Sequence, residues 1–277
     1  MATLLTQLVV LQFFMKHINL RPYIESSLHV ALSLWAFCNV FAMQQGVDLA
    51  ASLQCAIFGF GWVAYQYFHF VVPALVKRQR INLLQVTMLF CAIAIGVFVL
   101  ATQTTAFWLV FVFVGMITAL YTLPFRAQMG LRYVPTLKIF IVALCWSTLA
   151  TFELFNTVSV HFVLIASKAL LWILVLIVPL EIHDLNSDAP RLKTLPQVLG
   201  VRGVKLLSYF LILMAMVLAL MTATKNILAW IEIGVLVVLG ILIFKVKRDR
   251  PKHLTSLYVE AIPELWLGLS FLALIYC

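Results

Sequence analysis

The sequence predicts an all-α integral membrane protein built as a bundle of nine transmembrane helices, and three observations support this prediction. The 277 residues are 64% hydrophobic and 10% charged, whereas soluble domains carry about 25% charged residues. Nine apolar stretches approach the ~20 residues that a helix needs to cross a bilayer. Basic residues also collect in alternate loops, as they do in multi-pass membrane proteins.

The first fifteen residues are apolar, and the basic residues Lys16 and Arg21 follow them. A signal peptide that is removed has basic residues before its apolar stretch and a cleavage site of small residues after it. This segment has neither, so we predict an interfacial helix. The chain then divides into an N-terminal interfacial segment, 1–27, and a single transmembrane domain, 28–277.

The apolar stretches predict the nine spans in order along the chain, separated by short polar or basic segments. The predicted spans cover residues 28–45, 49–73, 82–102, 104–123, 136–156, 160–180, 203–222, 227–245 and 257–277.

The basic residues sort to one side of these spans. Alternate loops hold one basic residue, Lys225, and Lys138 and Lys168 fall inside spans. The other sixteen share one side: Lys16, Arg21, Lys77, Arg78, Arg80, Arg126, Arg132, Arg191, Lys193, Arg202, Lys205, Lys245, Lys247, Arg248, Arg250 and Lys252. The positive-inside rule therefore places the N-terminus in the cytoplasm and the C-terminus outside. Because the membrane accounts for the net charge of +9, no nucleic-acid partner is required.

Three of the ten acidic residues, Glu181, Asp184 and Asp188, follow one another at the cytoplasmic end of the sixth span. At 100° per residue they fall within roughly 80° of one another on a helix. Oxygen ligands at a membrane surface suit Mg²⁺, which proteins hold with one or two carboxylates plus substrate phosphates. Arg191 and Lys193 lie just beyond and can contact diphosphate oxygens. Spacing alone leaves a solvated helix end equally possible.

The order E-x-x-D-x-x-x-D followed by R-x-K-T-L-P-x-x-L-G resembles the second aspartate-rich motif of the UbiA superfamily of intramembrane prenyltransferases. Thr194, Pro196 and Gly200 fill the tail of that motif, and Glu181 stands where Asp is usual. Weaker landmarks agree in order along essentially the whole chain. They are Arg21-Pro22, Tyr121-Thr122-Leu123-Pro124, and the set Arg132, Pro135, Lys138 and Trp146.

The resemblance implies an enzyme with a central cavity open to the cytoplasm, in a bacterial plasma membrane. Such an enzyme binds a prenyl diphosphate through Mg²⁺ and transfers the prenyl group to a membrane-embedded acceptor, aromatic or of another kind. Carried over residue by residue, Asp184 and Asp188 are catalytic and, with Glu181, hold the metal. The expected diphosphate ligands are Lys138, Arg126, Arg191, Lys193 and Tyr121.

The first acidic motif of that family is absent. It falls near residues 62–80, which read WVAYQYFHFVVPALVKRQR, and no Asp or Glu occurs between Asp48 and Glu153. Gln66 and His69 are the polar side chains there, and they either line the pocket or form helix–helix hydrogen bonds.

Other charged and aromatic residues extend the candidate site. Glu260 either lines the pocket or pairs with loop cations, and Glu264 is an ionisable residue inside a span, which is a functional candidate by default. Lys138 either reaches diphosphate or snorkels to the interface. Lys168 needs a partner within the membrane, and Glu153 is one candidate. The aromatic residues Phe58, Phe60, Trp62, Tyr65, Tyr67, Phe68 and Phe70 either contact a prenyl chain or pack against helices.

Two further functions remain open. The missing motif favours a non-catalytic protein of the same fold that binds a lipid or isoprenoid, or scaffolds a complex. Nine spans with intramembrane charges also occur in transporters, but no sequence repeat of the transporter kind is evident, so we rank that function last.

Overall fold

The computed structural model describes residues 26–68, 105–122, 134, 136–154, 159–185, 192–246 and 252–276, with isolated positions between 86 and 101. Within these residues the chain forms eight α-helices and no strand. The helices are α1 Leu28–Gln44, α2 Ala51–Gln66, α3 Thr105–Thr122, α4 Leu137–Thr151, α5 Val160–Asp184, α6 Leu195–Thr222, α7 Asn226–Lys245 and α8 Lys252–Tyr276. A 3₁₀ helix, Phe152–Leu154, continues α4.

The described helices coincide with eight of the nine predicted spans. The third predicted span, 82–102, lies largely outside the described residues, although its described positions 86, 87, 90, 91, 93, 94 and 97 are helical. Segment 1–25 also lies outside them. Helices α5, α6, α7, most of α8, and α4 with its 3₁₀ extension are long and apolar enough to cross a bilayer. The protein is therefore an all-helical integral membrane protein.

Apart from α2 and α3, the described helices that follow one another pack together, and α8 packs against α1. Helix α5 lies centrally and contacts α4, α6, α7 and α8. Trp172 of α5 and Trp266 of α8 are fully buried, and their rings stack with centroids 4.3 Å apart. Phe37 and Phe41 of α1 pack against Trp266. This aromatic cluster is the centre of the apolar core.

The observed boundaries correct the predicted ones at the start of α6 and the end of α5. Helix α6 begins at Leu195, eight residues before the predicted span, with Pro196 in its first turn, where a missing N–H breaks no helical bond. A kink at Gly200 (φ 70°, ψ 164°) divides this first segment from the long one. Helix α5 runs to Asp184, so Glu181 and Asp184 are helical and do not belong to the following loop.

Candidate functional site

Glu181 and Asp184 lie in the last turn of α5, at the end of the bundle where α1 and α4 begin. We call this end of the bundle the Glu181 end. Residues three apart are about 60° apart around a helix, so both carboxylates share one face. Helix α5 presents this face to α4, against which it packs. Asp188, the third predicted metal ligand, lies outside the described residues.

Lys138, in the first turn of α4, places its ammonium between the two carboxylates. Its Nζ lies 2.6 Å from Glu181 Oε1 and 3.9 Å from Asp184 Oδ2. The Glu181 side chain is 3% exposed and that of Lys138 is 25% exposed. The lysine therefore neutralises a nearly buried carboxylate and reaches water beside it, and the two carboxylates converge on one cation.

A small pocket opens at this cluster. Its lining residues are Val134, Thr136, Lys138, Ile139, Glu181, Leu192, Thr194 and Leu195. The residues of the T-L-P sequence thus form the start of α6 beside the cluster. The Thr194 backbone N–H donates to the Gln197 side chain at 3.0 Å, which satisfies a donor at the helix N-terminus. Lys193 has a left-handed backbone (φ 43°) and an exposed side chain.

Two linked apolar cavities lie deeper in the bundle and share Tyr65, Val142 and Trp146 in their linings. The first is lined by Leu34, Phe60, Gly61, Ala64, Tyr65, Phe68, Val114, Thr118, Tyr121, Ile141, Val142, Cys145, Trp146 and Leu149. The second is lined by Val30, Ser33, Tyr65, Val142, Trp146, Ile173, Leu176, Ile177, Leu180, Val259 and Glu260.

These cavities lie directly beneath the charged cluster. Val142 follows Lys138 by one helical turn on α4, and Ile177 precedes Glu181 by one turn on α5, so each is on the same helix face as its charged neighbour. Leu180 also lines the second cavity. The arrangement places a charged site next to two cavities with apolar linings.

Glu260 of α8 makes a second close contact at this end of the bundle. Its Oε2 lies 2.6 Å from His29 Nε2, and the side chains are 14% and 6% exposed respectively. Glu260 lines the second cavity. His29 was missed in the sequence, although a histidine at the start of an otherwise apolar helix was a usable signal.

The remaining predicted residues fall into three groups. Tyr121 lines the first cavity and packs edge-on against Phe68. Gln66 is fully buried and its Nε2 donates to the Ser26 carbonyl at 2.5 Å, beside a 3.0 Å bond from Trp62 Nε1. This contact joins the end of α2 to the start of α1, which is the second of the two roles predicted for Gln66, a helix–helix hydrogen bond. His69, Arg126 and Arg191 lie outside the described residues.

Of the predicted aromatic residues, Phe60, Tyr65 and Phe68 line the first cavity. Phe58 and Trp62 pack against each other with centroids 6.4 Å apart and are absent from both cavity linings. The aromatic residues therefore lie on different faces of the helix, and the face with Phe60, Tyr65 and Phe68 is the one that lines the cavity.

A third buried network lies at the opposite end of the bundle. Lys168 and Glu232 are both 0% exposed, and Lys168 Nζ lies 3.1 Å from Glu232 Oε2 and 2.7 Å from Gln44 Oε1. Glu232 also accepts from Gln44 Nε2 at 2.6 Å and from Trp172 Nε1 at 2.7 Å. Glu153, the candidate partner that the sequence offered, is therefore not the residue that contacts Lys168. It lies in the 3₁₀ helix after α4, whereas α7 carries the carboxylate that lies beside Lys168.

No three His, Cys, Asp or Glu side chains cluster closely enough to hold a metal ion within the part of the chain that the structure describes. Glu181 and Asp184 are thus the described members of the predicted metal triad. Two carboxylates on one helix face can still hold Mg²⁺ when substrate phosphates complete its coordination.

Neither a protein-family profile nor a curated protein matches the sequence. Among solved structures, the apo UbiA homologue from Aeropyrum pernix K1 superposes with a TM-score of 0.64 at 14% identity, covering 88% of this chain and 98% of that one. An Archaeoglobus fulgidus UbiA homologue bound to Cd²⁺ gives a TM-score of 0.61 at 14% identity, over 89% of this chain and 98% of that one.

The same Archaeoglobus fulgidus homologue bound to DMAPP and Mg²⁺ gives 0.61 at 15% identity, over 91% of this chain and 96% of that one. The chain therefore has the fold of the UbiA homologues over most of its length.

Proposed function

We propose that this membrane protein of UbiA fold is a prenyltransferase that moves a prenyl group from a prenyl diphosphate to a lipophilic acceptor. The observation that carries the proposal is the cluster of Lys138, Glu181 and Asp184 above the two apolar cavities. A prenyl diphosphate has the matching chemistry, a multiply charged head on an apolar chain. The structure of a similar protein with DMAPP and Mg²⁺ supports this substrate class.

The head group requires positive charge, and Lys138 is the cation that the described structure places at the cavity mouth. Arg126, Arg191 and Lys193 are the further cations proposed to contact diphosphate oxygens. Tyr121, 7% exposed in the first cavity, is proposed to donate a hydrogen bond to the diphosphate from the α3 side.

The carboxylates fit a divalent cation, because both already converge on the Lys138 ammonium, at 2.6 and 3.9 Å. Glu181 and Asp184, with Asp188, would hold Mg²⁺ together with diphosphate oxygens. When bound, this ion neutralises charge that develops on the leaving diphosphate. The sequence lacks the carboxylates of the first motif. Lys138 and the neighbouring basic residues therefore supply the rest of the positive charge that compensates the diphosphate.

The chain's own groups then account for the remaining requirements of the reaction. Lys138 stabilises negative charge as the carbon–oxygen bond breaks. The indole of Trp146 and the ring of Tyr65 line both cavities, where their faces stabilise a positively charged allylic carbon. The apolar lining limits the access of water, which keeps hydrolysis of the cation slow.

The distribution of basic residues supports a membrane orientation in which the Glu181 end faces the cytoplasm. A bacterial plasma membrane would supply both the lipophilic acceptor and cytoplasmic prenyl diphosphates. The complete topology of nine helices includes the predicted span 82–102.

The test is turnover by the purified full-length protein in liposomes, given dimethylallyl, geranyl or farnesyl diphosphate, Mg²⁺ and a panel of hydroxylated aromatic acceptors. We expect release of pyrophosphate with formation of prenylated product. Asp184→Asn and Lys138→Met should each lower the rate at least ~100-fold, as expected for lost electrostatic stabilisation.

Lys225→Met is the matched control, because Lys225 is exposed at the opposite end of the bundle. Wild-type protein that gives no product, while a prenyl diphosphate still raises its melting temperature, would replace this proposal with the non-catalytic binding alternative. Full activity in Asp184→Asn would overturn the site assignment.

A further inference from the structure

One charged residue in the described lining of the two cavities is unused by the reaction so far. Glu260 lines the second cavity together with Ser33, Tyr65 and Trp146. Among the described lining residues of both cavities it is the only acidic or basic one. Ile177 and Leu180 line the same cavity and precede Glu181 on α5, so Glu260 faces a cavity that begins about one helical turn from the diphosphate cluster.

A carboxylate inside a membrane bundle is costly, and such groups mark functional sites. Here His29 partly compensates the cost with a contact of 2.6 Å to Glu260 Oε2. The imidazole fixes the carboxylate in orientation, because α1 and α8 pack along each other and carry these two residues. Ser33, one turn after His29 on α1, is fully buried and places its hydroxyl in the same lining.

We propose that Glu260 is the catalytic base of the transfer and that the second cavity is the acceptor site, taking a neutral, hydroxyl-bearing aromatic acceptor. His29 is a positioning residue that acts through Glu260, and Ser33 offers a hydrogen bond to the acceptor. This inference rests on the proposed prenyltransferase function.

The step balances in atoms and electrons. The bond between the prenyl carbon and the diphosphate oxygen breaks, and its electron pair leaves with diphosphate. A ring carbon of the acceptor, activated by its hydroxyl group, forms the new carbon–carbon bond. The proton that this ring loses passes to the Glu260 carboxylate, and no oxidant or reductant takes part.

The charge of Glu260 also selects among acceptors. An acceptor that carries its own carboxylate would bring a second negative charge into an apolar space, where like charges repel strongly. A neutral phenol meets no such repulsion and can donate a hydrogen bond to Glu260. Hydroquinone should therefore be used in preference to 4-hydroxybenzoate.

The first test compares Glu260→Gln with Glu153→Gln in liposomes with geranyl diphosphate and hydroquinone. Glu153 is exposed in the 3₁₀ helix that follows α4, at the end of the bundle opposite the Glu181 end, so it is the matched control. We expect Glu260→Gln to lower kcat for transfer at least ~100-fold, as general bases contribute 10²- to 10⁴-fold. The KM for geranyl diphosphate should stay unchanged, and Glu260→Asp should restore part of kcat.

A purely structural role would instead lower transfer and the slow hydrolysis of geranyl diphosphate together. We expect hydrolysis to persist in Glu260→Gln, so that the ratio of geraniol to prenylated product rises. Equal transfer rates in Glu260→Gln and wild type would overturn the assignment of the base. Absence of turnover in wild type would instead overturn the proposed function, so the two failures are distinct.

The second test concerns acceptor charge. Wild type should show at least a tenfold higher kcat/KM for hydroquinone than for 4-hydroxybenzoate. In Glu260→Gln, the ratio of the two residual kcat/KM values should be smaller. Equal use of both acceptors by wild type would overturn the acceptor assignment.

Discussion

The ammonium of Lys138 and the carboxylate of Glu181 lie 2.6 Å apart, joining the start of α4 to the end of α5. The carboxylate is 3% exposed, and this cation compensates its charge. The pair that is proposed to act on diphosphate also contributes to holding the bundle together.

Lys138→Met should therefore lower stability as well as activity. Removing one partner of a fully buried pair costs about 3–5 kcal/mol, and because the lysine is 25% exposed we expect a smaller loss of about 1–3 kcal/mol. Thermal unfolding in detergent measures it. Lys225→Met should change stability by less than about 0.5 kcal/mol, and an equally small loss in Lys138→Met would contradict the prediction.

The Lys168–Glu232 pair should give a larger effect, since both side chains are fully buried. Lys168→Met or Glu232→Gln alone should destabilise by about 3–5 kcal/mol, because each leaves a buried partner uncompensated. Lys168→Met combined with Glu232→Gln should lose much less than the sum of the single variants. A double-mutant cycle on unfolding in detergent checks this, and additive losses would show that the pair is not coupled.

Gly61 should tolerate no larger residue without a loss of cavity space. A Cβ there would lie 3.0 Å from Leu34 Cδ2 and 3.5 Å from the Ala31 backbone, and the residue lines the first cavity. Gly61→Val should destabilise by about 1–3 kcal/mol through overpacking and weaken binding of geranyl diphosphate. Gly234→Ala, where a Cβ would meet no atom within 4 Å, is the control; equal melting temperatures for the two variants would refute this.

Gly200 should be required for the kink in α6. Its backbone lies at φ 70° and ψ 164°, a region that is essentially restricted to glycine. Gly200→Ala should cost about 1–3 kcal/mol in unfolding free energy, although a Cβ there would meet no neighbouring atom. Gly268→Ala has the same open surroundings without the positive φ and should be neutral or stabilising. Loss of stability in both variants alike would point to a cause other than the backbone.

The positions of the helices followed from the sequence because the length of an apolar run is set by the thickness of the bilayer. The order of residues from Glu181 to Gly200 also indicated the carboxylate face. It did not indicate that α6 begins at Leu195, because Pro196 and Gly200 are turn and loop signals in a sequence, whereas the structure places them in the first turn of α6 and at its kink.

Partner choice between helices did not follow from the sequence. A helix that is apolar on all sides carries no periodic signal for the face that meets a given neighbour. His29 and Glu260, or Lys168 and Glu232, meet only through packing between helices that are distant in the chain. The same reason explains why Gln66, a pocket candidate, bonds to Ser26 instead.

The three-residue network of Lys168, Glu232 and Gln44 has a consequence for biosynthesis. Ribosomes add about 5–20 residues per second, and Glu232 follows Lys168 by 64 residues, so the cation exists for several seconds before its carboxylate. Gln44, 124 residues earlier, is already made and offers an amide oxygen to the same ammonium. We therefore expect Gln44 of α1 to hydrogen-bond the Lys168 ammonium during membrane insertion, before Glu232 has been translated.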